Sequence, residues 1–160
     1  MTKDLNNQVL SRALTGKDSH VETGTVFDGL DWKVAGMRPT GAPHSLFQLL
    51  NHMTYWQEWV VRWLDGKKPR APKHARRGWP GGVGPATRRE WDQAMRRFHS
   101  ALRTLDKHSR GESLLLKKGK MTRLEMLHLI AAHNSYHAGQ VAFLRQILAV
   151  WPPPSGGVTW

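Results

Sequence analysis

The sequence predicts an all-α fold of four main helices, on three observations. Four Ser/Thr-x-x-Glu/Gln patterns stand before helix-length segments, the residues behind them place apolar side chains at helical spacing, and no stretch alternates persuasively with period two. In each such pattern the hydroxyl accepts from the N3 amide while the N3 side chain reaches back to the cap amide. They run from Ser19 to Glu22, Ser45 to Gln48, Thr87 to Glu90 and Thr122 to Glu125. The helices expected behind them span about 20–30, 46–64, 88–108 and 123–150, with an additional turn or helix around 5–14.

The connections follow from their composition. Residues 31–43 hold Gly36, Pro39, Gly41 and Pro43 and read as irregular. The longer stretch GKKPRAPKHARRGWPGGVGPA, residues 66–86, is dense in Gly, Pro and basic residues. An irregular connection of that length inside a compact domain is uncommon and tends to be functional or mobile. It suits a crossover between the second and third helices, which gives an up-down-down-up four-helix bundle. Three consecutive prolines make 151–160 an extended tail. At 160 residues the chain is expected to be one domain, 1–160, able to bury its own core without disulfides.

Composition narrows the chemistry. There is no cysteine, which excludes disulfides, thiolate ligands, iron-sulfur clusters and a cysteine nucleophile, and leaves nine histidines. Lys plus Arg number 24 against 12 acidic residues, a formal charge of +12 that attracts anions without choosing a fold. The amino terminus lacks a signal-peptide build and no stretch approaches the ~18 apolar residues of a membrane span, so a cytoplasmic protein without a membrane partner is expected.

Three histidines stand out by position. On the second helix Leu49, His52, Trp56, Val60 and Trp63 form one stripe, and on the fourth Ile130, His133, His137, Val141, Leu144 and Leu148 form another. His133 and His137 lie one turn apart, about 6 Å along the axis, where two imidazoles can converge on one ion. His52 from a facing helix offers a third nitrogen. Each is equally readable alone as a core histidine bonded to a carbonyl. Together they point to a divalent ion, Zn²⁺ or Ni²⁺ by preference, with an open coordination position. Asn134 occupies the place of the glutamate base in His-Glu-x-x-His, so ordinary metalloprotease chemistry is not expected. Gln48, Asn134 and Gln140 are candidates to support the ligands and Trp56 to wall the cavity, against plain readings as surface amides and a core indole. His44, about 12 Å along the helix from His52, is too far to share the ion. Gly139 sits inside a good helix, where close packing or cavity space would explain it.

The block HNSYHAGQVAFLRQILAVWPP, with upstream GLDWKVAGMRPTGAPHSLFQLLNHMTYWQEWVVRWLDG, resembles the DinB-like superfamily, including the YfiT-type group of metal-dependent hydrolases. The resemblance runs from about residue 20 to 153 and is sharpest at His133, His137, Gly139 and Gln140, with His52 upstream. It implies an up-down-down-up bundle, one divalent metal on His52, His133 and His137, commonly a homodimer, and in some relatives a low-molecular-weight thiol co-substrate. Hydrolysis or thiol (S-) transfer on a small-molecule substrate is then expected, with a metal-activated water or thiol as the reacting group. Two alternatives stay open: a non-catalytic metal-binding stress or interaction protein, and a basic nucleic-acid-binding protein. The cations Lys67, Lys68, Arg70, Lys73, Arg76 and Arg77 carry no groove-reading motif, and serve as well to attract an anionic substrate.

Overall fold

The computed structural model describes residues 2–17, 19–79, 81–111 and 114–157. It is all-α apart from one minimal hairpin. The helices are α1 (Thr2–Thr15), the single turn α2 (Trp32–Ala35), α3 (Leu46–Leu64), α4 (Arg88–Ser109) and α5 (Arg123–Ile147). A 3-10 turn, Ala75–Gly78, interrupts the crossover, and β1 (Lys117–Lys118) pairs antiparallel with β2 (Met121–Thr122) just before α5. Two-residue strands are too short to leave an alternation in the sequence.

Capping chemistry sets the starts of the two helices that matter most. Ser45 and Thr122 form complete capping boxes with Gln48 and Glu125, and Thr87 accepts from the Glu90 amide. At the far end of α3 the Leu64 carbonyl receives Lys118 Nζ at 2.6 Å and an Arg123 guanidinium N–H at 2.9 Å, cations where the helix dipole favours them. The α5 helix stops at Ile147 and not at 150, because Ala149 turns left-handed (φ 57°) and the Val150 amide bonds back to the Arg145 carbonyl.

The expected helix over 20–30 does not form. This segment is a run of turns, and the additional N-terminal element, α1, is the fourth long helix instead. The reason lies in its backbone partners. Gly29 takes φ 73°, and the buried Arg145 guanidinium claims the carbonyls of Val26 (2.7 Å) and Asp28 (2.9 Å). The apolar residues Val21, Val26, Phe27 and Leu30 are nevertheless buried, Phe27 meeting Phe98 edge to face at 5.4 Å. The tail also departs from expectation: Gly156 N–H bonds to the Pro153 carbonyl in a turn, and Trp151 packs on the core. Residues 158–160 lie outside the described part.

α3 packs on α4 and α5, and α1 packs on the same two, so α1 and α3 take opposite corners. Two apolar clusters fill the interior. One gathers Phe47, Leu50, Met53, Phe98, Ala138 and Val141; the other gathers Leu14, Val60, Leu64, Leu105, Leu127 and Ile130. Along α3 the clusters separate between Met53 and Val60, and along α5 between Ala131 and Ala138. Those two gaps hold the histidines, with the buried Gln57 and Asn134 beside them. No helix among the described residues is long and apolar enough to cross a membrane.

Candidate metal centre

The two capped helices bring His52, His133 and His137 to one point at the waist between the clusters. One ring nitrogen from each lies within 4.8 Å of the others. His133 Nε2 stands 3.1 Å from His52 Nε2, and the three ring centroids are 4.4 to 5.0 Å apart. His52 and His137 are buried and His133 is half-buried.

The outer nitrogens define which lone pairs face inward. His52 Nδ1–H donates to the Gly78 carbonyl at 2.5 Å, and His137 Nδ1–H donates to Gln140 Oε1 at 2.7 Å. These assignments, made from the hydrogen-bond network, leave each Nε2 with its lone pair toward the cluster. Burial holds the His52 imidazole down to about 4 despite the opposing Gly78 bond, and holds His133 down to about 3, helped by its neighbours His137 and His52. His137 is lowered too, by burial, against the Gln140 bond that raises it. All three are neutral near pH 7, which is the ligand form. His133 Nδ1 is buried without a hydrogen-bond partner among the described residues. Neutral nitrogens converging edge to edge, two of them fixed in the ligating tautomer, fit a divalent cation; no carboxylate among the described residues joins the cluster.

The family model of the DinB superfamily matches residues 20–141, a range that contains all three histidines. The chain belongs to the DinB superfamily. No curated protein and no solved structure matches it. Within this DinB chain the remaining expected site residues divide. Gln140 holds His137. Trp56 is half-buried with its ring 6.4 Å from that of His133. Asn134 is buried and accepts from Gln57 Nε2 at 3.2 Å, linking α5 to α3 beside the cluster. Gln48 is engaged in the α3 capping box, its Oε1 accepting from the Ser45 amide.

One part of the centre had no signal in the sequence. Trp79, from the crossover, stacks on His52 at 3.7 Å and 9°, and on its other face stacks His44 at 3.6 Å and 14°. His44 thus reaches the centre through an indole and not as a ligand. The crossover is pinned there at several points: Gly78 to His52, Trp59 Nε1–H to the Arg70 carbonyl at 3.3 Å, and Ser45 Oγ–H to the Val83 carbonyl. At Gly78 a Cβ would come within 3.1 Å of Trp56 Nε1, so the close approach of this backbone to the site requires glycine or a shift of the indole.

Two apolar grooves of about 390 Å³ each flank the histidines. One runs from the 39–43 segment past His44 and Gln140 to Phe143 and Ile147; the other is lined by Trp56, Trp59, Leu129 and His133. Lys67, Lys68, Arg70, Lys73, Arg76 and Arg77 are exposed on the crossover that supplies Gly78 and Trp79.

Proposed function

We propose that this DinB superfamily chain is a metal-dependent enzyme acting on a small anionic molecule by hydrolysis or thiol transfer. The observation that carries this reading is the convergence of three neutral imidazoles within 4.8 Å, with two outer nitrogens already oriented by Gly78 and Gln140. A divalent ion held by His52, His133 and His137, zinc or nickel by preference, supplies when bound the Lewis acidity that makes a water or thiol nucleophilic. The chain supplies the rest. Gly78 and Gln140 keep the ligating lone pairs aimed inward, and Trp79 excludes water from one face of His52. The exposed crossover cations attract an anion toward the centre, and the grooves receive its apolar part. With no cysteine in the chain, any thiol in the reaction arrives as a co-substrate.

The test is turnover in a panel of carboxylate and phosphate esters and of electrophiles presented with small thiols. The expected result is one class turned over, abolished by chelation and restored by Zn²⁺ or Ni²⁺. Turnover that survives complete metal removal contradicts the reading. A second reading, in which the ion only staples the fold, is favoured by the ligands coming from both α3 and α5. It predicts a large fall in melting temperature on chelation with no substrate turned over.

A further inference from the structure

Gly139 has no structural reason within its own chain. A glycine inside a helix costs about 1 kcal/mol relative to alanine. The two explanations available from sequence, close packing and cavity space, both fail, since Gly139 is exposed and a Cβ there would meet nothing within 4 Å. Its neighbours on that face are unusual. Leu129, Ala132, Tyr136, Gly139, Phe143 and Ile147 follow one another at steps of three or four, and all six are exposed. The four large side chains are each more than half exposed, Tyr136 at 66% and Phe143 at 63%. The opposite face of α5 carries Ile130, His137, Val141 and Leu144 into the interior. α5 is therefore apolar on two sides, and only one is covered.

We propose that a second copy of this chain covers the other, with two α5 helices crossing at Gly139. Charge selects this occupant. The chain carries +12, so two copies repel unless they meet on an uncharged face. From residue 126 to residue 144, α5 has no Asp, Glu, Lys or Arg, a gap that suits a like-charged partner. An acidic partner would be drawn to the basic faces instead. The row is also self-complementary. Around a twofold axis at Gly139, Tyr136 and Phe143 stand about one turn to either side, so each meets the other's counterpart while the glycines let the helix backbones approach. The contact bears on the metal centre. Tyr136 lies 5.0 Å from the His137 ring, Phe143 and Ile147 form the outer lip of one groove, and Leu129 that of the other. The second copy closes both grooves on their solvent side.

This inference stands independently of the metal reading, because its test measures mass and linkage. Sedimentation equilibrium of the full chain is expected to give twice the chain mass, with dissociation on the order of micromolar. Phe143→Lys and Gly139→Arg are each expected to weaken association at least tenfold with helical circular dichroism unchanged. Because the chain has no cysteine, Gly139→Cys introduces its only thiol: mild oxidation should link the copies, while the same thiol at the exposed Arg103→Cys should not. A wild-type protein that stays monomeric to about 100 μM, association untouched by both substitutions, or equal linkage at both cysteines overturns the proposal.

Discussion

At the scale of single residues, the site depends on what fixes each imidazole, and Trp79 is the residue to probe. It is sandwiched between His44 and His52 and touches no ligand nitrogen. Groups that orient metal ligands without binding the ion typically contribute 10 to 100-fold in affinity. Trp79→Ala is expected to weaken Zn²⁺ binding by about tenfold or more in calorimetric titration, with Trp79→Phe restoring most of it; an unchanged affinity for Trp79→Ala would remove the indole from the centre. His108 gives the pH prediction. Its Nε2–H donates to Asp65 and its Nδ1 accepts from Arg123, so the neutral ring satisfies both partners. Burial, and then the Arg123 charge, hold it below the ordinary imidazole value, so the unfolded chain takes up a proton before the folded one. Its contribution to stability is therefore complete above the unfolded value and is lost as pH falls below it. Between about pH 7 and about pH 5 the melting temperature of His108→Gln should fall less than that of wild type.

At the scale of elements, the waist between the two apolar clusters is the costly part of the design. Gln57 and Asn134 are buried there, joined by one bond, and Gln57 Oε1 and Asn134 Nδ2 lack partners among the described residues. Gln57→Leu alone strands Asn134 and should cost about 1–3 kcal/mol in a urea titration, whereas adding Asn134→Leu should recover part of that loss. Arg145 works in the opposite direction, as a tether. Arg145→Met frees the carbonyls of Val26, Asp28 and Val150, and should expose the 20–30 segment to limited proteolysis before the rest of the chain. These two features mark where sequence reading succeeds and fails. α3 and α5 were legible because a capping box fixes each start and an apolar row fixes each face, which also put His133 and His137 on one side. The 20–30 segment carried the same Ser19-to-Glu22 pattern, but its carbonyls are bound by a side chain more than a hundred residues away, which no local pattern encodes. Trp79 was hidden for the same reason, since an irregular crossover has no period from which to infer direction.

At the scale of the whole molecule, a +12 chain without cysteine has concentrated its metal-ligating chemistry into three of nine histidines. The charge is spread over exposed loops and helix faces, while the ligands occupy the uncharged waist. Membership of the DinB superfamily and the geometry of the cluster agree on the same three residues from independent directions. The most direct measurement is the metal content of protein purified without an affinity tag, for wild type and His133→Ala, by inductively coupled plasma mass spectrometry. One equivalent of a divalent transition metal per wild-type chain, largely lost in His133→Ala while the helical signal is kept, is the predicted result. A full equivalent retained by His133→Ala, or none taken up by wild type from excess Zn²⁺ or Ni²⁺, would contradict the account.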